Sequence, residues 1–202
     1  MHRALFPPSR HLAYRFRVRL TYGGRQSSTL VRVRMDPRLE VSEETLPAQE
    51  AQGQQLMRYV KMATQAMDQL NEAAATIQTV NAQLKERDDE PAKALKERGK
   101  ALLDTIKAHK ELIAQKEDIQ GIRRDPNVVS GKLETASSYL FFDLGNAPTP
   151  TQTEVLAQAE KSLQVPIERV NRFFANEWAA YRPLVGEEAA EVTPFETYER
   201  IE

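Results

Sequence analysis

The hydrophobic positions of the chain follow two different periods, one before Asp36-Pro37 and one after it. From Tyr14 to Tyr22 every second residue is apolar, and arginine or threonine lies between. Such alternation is typical of a strand with one buried face. Gly23-Gly24 follows, and a second alternating run extends from Thr29 to Met35. The pattern predicts an antiparallel β-hairpin.

Beyond Asp36-Pro37 the apolar residues recur at steps of three and four. Between Leu56 and Leu84 this spacing predicts a long helix that starts near residues 43–48 and ends around residues 87–89. Ser42 and Thr45 offer capping side chains, and Pro47 is tolerated in a first helical turn. A second apolar stripe widens the face, which favours a bundle with two neighbours.

Three further helices follow in the pattern. Pro91 suits the first turn of a second helix, which runs to about Glu117. Ser130 is expected to cap a short third helix that Gly145-Asn146 ends. The run Thr149-Pro150-Thr151-Gln152 has the residues of a capping box and predicts the start of a fourth, long helix.

The predicted fold class is therefore mainly α. We expect an antiparallel bundle of about four helices, two long, one short, and one long and kinked at Pro166, preceded by the hairpin. The predicted units are the hairpin over 1–37, the bundle over 38–185 and a loosely ordered acidic tail over 186–202. A two-stranded hairpin is marginal alone, so it is either the remnant of a β-sandwich, packed across the helices, or paired with a second copy through its open edge.

Composition limits the classes of partner. The 202 residues include 28 basic and 29 acidic side chains, so the net charge of −1 creates no overall field toward nucleic acid or membranes. No cysteine is present, which excludes disulfides and thiolate metal sites. No apolar run approaches the roughly 18 residues of a membrane span. The start of the chain does not resemble a signal peptide, which predicts a cytoplasmic protein if Met1 is the true start.

Candidate chemistry is sparse. His2, His11 and His109 are scattered and have no metal-ligand spacing, so no metal is predicted. No phosphate-binding glycine loop or nucleophile motif occurs, and we predict no cofactor and no enzymatic activity. We interpret His109 as a packing residue rather than a ligand or pH switch. The carboxylates of Asp88-Asp89-Glu90 are interpreted as solvated charges at a helix end rather than a calcium site.

Two other features allow a functional and a structural interpretation. Asn81 falls on the apolar seam of the first long helix, where an amide can fix helix register. The aromatic stripe of the last helix can line a ligand pocket, but aromatic residues at helical spacing are more often core; it comprises Phe173, Phe174, Trp178 and Tyr181.

The arginines of the hairpin form the one concentrated basic patch in the sequence. All five would project from one face of the predicted hairpin: Arg15, Arg17, Arg19, Arg32 and Arg34. They are candidate contacts for a polyanion, such as an anionic glycan or nucleic acid, or for a protein partner. Because this face must be solvated anyway and no aromatics interleave to stack bases, we predict no nucleic-acid partner.

Two segments resemble a known family. The runs Phe16–Gly24 and Val31–Arg38 resemble the end of the β-sandwich in large bacterial sortilin-like proteins with BNR-repeat β-propellers, often labelled glycosyl hydrolases. The helical part is similar too, since residues 132–152 match the family's leucine-rich helix, short loop and proline-threonine helix start. The likeness covers about residues 14–185. Residues 1–13 do not resemble a preceding sandwich strand, which suggests a truncated gene, a misplaced start or a fragment.

The resemblance implies that propeller, ligand-binding residues and signal peptide lie upstream, in a periplasmic or secreted protein. Our first hypothesis is a non-catalytic structural or protein-interaction module, the C-terminal accessory part of such a protein, whose partners are the upstream propeller and sandwich domains or another protein. The alternative is a free-standing binding protein that uses the arginines or the bundle core for a ligand, or dimerises through the hairpin edge.

Overall fold

The computed structural model describes residues 15–32, 45–115, 125–142 and 147–188. Within these ranges an antiparallel two-stranded hairpin precedes the helices, as the sequence predicts. The elements are β1 (Arg15–Tyr22), β2 (Arg25–Arg32), α1 (Leu46–Gln83), α2 (Glu90–Ile113), α3 (Val129–Phe142), α4 (Pro150–Phe173), a π-helical turn (Phe174–Trp178) and α5 (Ala179–Glu188).

The second strand of the hairpin starts earlier than predicted. Pairing resumes directly after Gly23-Gly24, with Tyr22 opposite Arg25, so the predicted start at Thr29 is wrong. The two glycines have φ values of 54° and 76°, the positive values that a tight two-residue hairpin turn requires. The polar residues 26–28 are tolerated in the strand because neither face is buried. Residues 33–35 of the predicted strand lie outside the described residues.

The start of α1 agrees with the prediction, but its capping does not. Pro47 lies in the first turn, and Thr45 occupies the N-cap position, yet its side chain makes no capping hydrogen bond. Ser42 lies outside the described residues. The helix ends at Gln83, before the predicted boundary at residues 87–89, and turns fill residues 84–86.

The caps of the next two helices were only partly predicted. Asp89 is the N-cap of α2 and accepts a hydrogen bond of 3.1 Å from the Ala92 amide, a role that the sequence interpretation missed. This helix ends at Ile113, not near Glu117. The third helix already includes Val129, so Ser130 lies inside α3 and is not its cap. Gly145-Asn146 lies outside the described residues.

The predicted capping box of α4 is confirmed. Gln152 donates its backbone N–H to the Thr149 hydroxyl, and the Gln152 side chain accepts the Thr149 backbone N–H at 2.8 Å. The same buried glutamine donates its side-chain amide to the Tyr139 carbonyl at 3.0 Å, which joins α3 to α4. The helix continues through Pro166, the π-helical turn and Pro183 to Glu188. Residues 186–188 are therefore helical, and the rest of the predicted tail lies outside the described residues.

The first and last helices run parallel. Near their N-terminal ends Gln52 contacts Thr153 at 3.2 Å, and Tyr59 is hydrogen-bonded to Glu160 further along. Near their C-terminal ends both Asn81 and Tyr181 lie beside Gly99 of α2. The order of these contacts is the same along both helices, which fixes their common direction.

The second and third helices run in the opposite direction and follow one another. Gly99 lies beside Tyr181, whereas His109, later in α2, lies against the earlier Phe173. Gln115, just beyond α2, exchanges two hydrogen bonds with the Asp125 backbone before α3, and α3 ends beside the start of α4. In the bundle, α1 and the last helix therefore run in one direction. The second and third helices, α2 and α3, follow one another in the opposite direction.

The core lies between these helices. Fully buried side chains include Leu70 and Ile77 of α1, Leu163 of α4 and Tyr181 of α5. The buried alanines of α1 allow the neighbouring helices to approach closely: Ala63, Ala66 and Ala73. No residue of the described hairpin belongs to this core.

Candidate interaction surface

The register of the hairpin brings the predicted arginines together. Arg17 pairs with Leu30, Arg19 with Ser28, and Arg32 with Arg15. Because paired residues and every second residue share a face of a sheet, Arg17, Arg19 and Arg32 lie on one face, which we name the arginine face. Arg34 lies outside the described residues. The described hairpin contains five arginines and no acidic residue, so its charges repel one another and favour an anionic partner.

The opposite face of the hairpin is exposed and carries five apolar side chains beside Arg25, Ser27 and Thr29. We name the five apolar residues the apolar face: Phe16, Val18, Leu20, Tyr22 and Val31. Leu20 is 68% exposed and Tyr22 is 84% exposed. The helices therefore do not cover this face in the described part of the chain, contrary to the alternative in which the hairpin packs across them. One edge of each strand is also unpaired with any other strand among the described residues.

His109 occupies a packing position, as interpreted from the sequence. The half-buried ring lies edge-on to Phe173, with centroids 5.8 Å apart. Burial lowers the pKa of His109, Glu177 opposes this effect, and Arg169 and Arg172 lower the pKa further. The neutral ring is therefore favoured. His2 and His11 lie outside the described residues, which contain no cluster of side chains able to hold a metal ion.

The carboxylate of Asp89 is engaged locally. Besides capping α2, it forms a bidentate pair with Arg87, with N–O distances of 2.9 and 3.0 Å. The hydrogen bond to Arg87 and the bond from the Ala92 amide lower the pKa of Asp89 to about 2. This carboxylate stabilises a helix start, which agrees with a charge at a helix end.

The aromatic stripe of the last helix packs in the core around the π-helical turn. Phe173 and Phe174 meet edge to face at 5.1 Å, and Trp178 lies 5.8 Å from Tyr181, measured between ring centroids. All four rings are buried. The core interpretation of this stripe therefore agrees with its position.

The sequence identified only one residue, Asn81, of a buried polar contact near these rings. The Asn81 amide oxygen and the Tyr181 hydroxyl are both buried and have no hydrogen-bond partner among the described residues, and both face Gly99. A Cβ atom on Gly99 would lie 3.1 Å from the former and 3.3 Å from the latter. The seam position revealed Asn81, but no sequence signal distinguished Gly99 as the point where α1, α2 and α5 meet.

Comparisons with family models, with curated proteins and with solved structures gave no match to this chain. None of the helices in the described part combines the length and the hydrophobicity that crossing a bilayer requires.

Proposed function

We propose that the chain is a non-catalytic protein-interaction module in which the bundle is a rigid support and the hairpin completes a β-sheet in a partner. The observation that supports this most is the exposure of the whole apolar face on a hairpin with two open edges. An exposed edge beside an apolar face is the arrangement that strand addition and sheet packing use.

The energy available is appropriate for such a contact. Burying one large apolar side chain from full exposure stabilises by about 1.5–3 kcal/mol. The five side chains of the apolar face are 38% to 84% exposed, so each contributes part of this amount. Each backbone hydrogen bond added at an edge contributes about 0.5–1.5 kcal/mol net and also fixes the register. The sum must also offset lost rigid-body freedom, about 4–15 kcal/mol, so a stable contact needs the face and an edge together.

The resemblance of the hairpin to the end of a sortilin-like β-sandwich supports one partner in particular. In this proposal the chain is the C-terminal accessory part of a larger β-propeller protein, and the missing sandwich strands lie in upstream domains. A free-standing module that binds another protein uses the same face.

The test supplies an upstream sandwich domain in trans and measures binding by calorimetry. Val18→Lys, on the apolar face, is expected to weaken binding at least about tenfold, because it buries a charge at the contact. Val165→Lys on α4 is the matched control, since Val18 and Val165 are 51% and 54% exposed. No complex with the wild-type chain, or equal effects of both changes, would exclude the proposal.

The arginine face supports a second candidate, a binding protein for polyanions. Three arginines on one face of one sheet match an anionic chain better than scattered charges do. Replacing Arg17, Arg19, Arg32 and Arg34 with serine is expected to lower the salt concentration that elutes the protein from heparin. The control replaces four exposed cations of the helices: Lys61, Lys93, Arg98 and Lys100. Equal retention of the two variants would remove this candidate.

A further inference from the structure

The two strands of the hairpin distribute their side chains differently between the two faces. On β1 every apolar side chain belongs to the apolar face, and the residues between them are Arg17, Arg19 and Thr21. On β2 both faces are mixed, because Leu30 lies on the arginine face and Arg25 lies beside the apolar face. Within the described hairpin, β1 is therefore the edge strand whose two faces differ in chemistry.

A strand added at the free edge of β1 would have its side chains in register with those of β1. Residues directly opposite each other in a sheet share a face, and every second residue returns to that face after about 6.8 Å. Arg17 and Arg19 are thus separated by the interval at which an added strand presents its own alternate side chains. Carboxylates at alternate positions of that strand would each lie opposite one arginine.

We infer that the partner strand pairs with the free edge of β1 and is acidic at alternate positions, with one carboxylate opposite Arg17 and another opposite Arg19. Its remaining positions are apolar and lie beside Phe16, Val18 and Leu20. This inference rests on the proposed function and adds the edge and the chemistry of the strand. Charge supports it, because the described hairpin has five arginines and no acidic residue, so the partner supplies the opposite charges.

Three contributions act together in this contact. Backbone hydrogen bonds along the edge hold the strand, and the arginine–carboxylate pairs are stronger than neutral hydrogen bonds. Arg32 of β2 reinforces the basic side, because it lies on the same face as Arg17 and Arg19. The apolar positions extend the apolar face by a third strand, which makes the sheet more stable than a hairpin alone. A strand that lacks either set of positions loses one contribution.

The arginines of β1 also oppose pairing between two copies of the hairpin. When two β1 strands pair antiparallel about Val18 with both apolar faces on one side, Arg17 of each copy lies opposite Arg19 of the other. Like charges directly opposite in a sheet are destabilising. Charged residues on an edge strand are a means of preventing edge-to-edge aggregation. The charges that disfavour a second copy favour an acidic strand, so they provide specificity in both directions.

The test uses two synthetic peptides of identical composition and the full ¹⁵N-labelled chain. One peptide alternates glutamate with valine over the length of β1, and the other has all its glutamates before its valines. Amide shifts during titration at low salt measure both affinities. We expect the alternating peptide to bind at least about tenfold more tightly and to shift the β1 amides, because only alternation separates carboxylates and valines onto opposite faces.

A charge-reversed chain connects the binding to the arginines. Arg17→Glu combined with Arg19→Glu should weaken binding of the alternating glutamate peptide at least about tenfold. The same variant should gain binding of a peptide that alternates lysine with valine, which also shows that its hairpin is folded. The matched control makes the same change of charge at two exposed helix cations, Lys61→Glu with Lys93→Glu, and should bind the glutamate peptide as the wild type does.

The other outcomes overturn the inference. Equal affinity for the two glutamate peptides would show attraction to charge alone, shifts confined to β2 would place the contact at the other edge, and an equal loss in the control would show that no particular arginine matters. The proposed function fails separately. If the upstream sandwich domain binds the chain and the alternating peptide does not, the inference is wrong and the proposed function stands; if neither binds, both are wrong.

Discussion

At the residue scale, Gly99 marks the tightest point of the bundle. An alanine Cβ there would lie 2.9 Å from the Ile77 methyl group and press on Asn81 and Tyr181. We expect Gly99→Ala to lower the free energy of unfolding by about 1–3 kcal/mol, as overpacking does. Gly53→Ala is the control, because a Cβ on this α1 glycine meets nothing within 4 Å. At Gly53 the higher helix propensity of alanine should raise the free energy of unfolding by about 0.5–1 kcal/mol.

Urea unfolding followed by circular dichroism at both positions separates crowding from propensity. If both alanines stabilise the chain, the helices do not meet at Gly99 as described. A loss at Gly53 as large as that at Gly99 would contradict the open space around Gly53.

Titration of Tyr59 is expected to lower the free energy of unfolding at alkaline pH. Burial, followed by the hydrogen bond to Glu160, raises the pKa of this hydroxyl from 10.0 to about 12, while Gln55 opposes the shift. The unfolded chain therefore releases the proton first as pH rises. The contribution to stability is complete below pH 10 and is lost as pH rises toward 12.

Tyr59→Phe removes the titrating hydroxyl, so the free energy of unfolding should fall less steeply above pH 10 than in the wild type. Tyr181, whose pKa burial also raises, leaves part of the slope in place. Denaturant titrations between pH 8 and 11.5 measure the slopes of the two proteins. Identical slopes for the wild type and Tyr59→Phe would contradict the role of Tyr59.

At the scale of elements, the π-helical turn accommodates one extra residue in the last helix. Its hydrogen bonds span five residues instead of four, and the side chains before and after it, Phe173 and Tyr181, both reach the core. Removing the exposed Ala175 would convert this turn to α-helix and keep the helices on either side in phase. We expect this deletion to lower the free energy of unfolding by less than about 1 kcal/mol.

Deletion of the exposed Gln158 from α4 is the matched comparison. It turns the following residues by about 100° relative to the preceding ones, which moves Leu163 and Ile167 away from their partners. The loss should exceed about 3 kcal/mol. Thermal and urea unfolding measure both variants, and equal losses would show that the π-helical turn is not an accommodated insertion.

Local chemistry explains which elements the sequence could predict. The capping box at Thr149 and the helical period of α1 are encoded by neighbouring residues, so both were predicted. The start of β2 was missed because residues 26–28 are polar, and an uncovered hairpin does not require alternation there. The π-helical turn depends on how Phe173 and Phe174 both reach a core built from other helices, which periodicity in one segment does not reveal.

The candidate interaction surface was likewise predictable only where neighbouring residues determine it. Alternation alone placed Arg17, Arg19 and Arg32 on one face, since the side-chain period of a strand is local. The exposure of the opposite face depends on what the helices leave uncovered, so it required the structure. The contact between Asn81, Gly99 and Tyr181 joins three helices and could not be read from any one of them.

At the scale of the whole molecule, the bundle and the hairpin are expected to be energetically separate. The core is built by helices alone within the described residues, and the apolar face of the hairpin contributes nothing to it. A chain that starts at residue 39 should therefore unfold within about 0.5 kcal/mol of the full chain, as changes far from a core usually do.

The prediction is checked by urea unfolding of both chains, followed by the helical signal. Leu70→Ala, which truncates a side chain with 0% exposure, is the positive control and should lower the free energy of unfolding by about 2–5 kcal/mol in either background. Equal losses in the two backgrounds indicate additivity, which holds for sites that share no contacts. A loss above about 1 kcal/mol on removing the hairpin would mean that the hairpin supports the bundle, and the hairpin could not then act as an independent docking element.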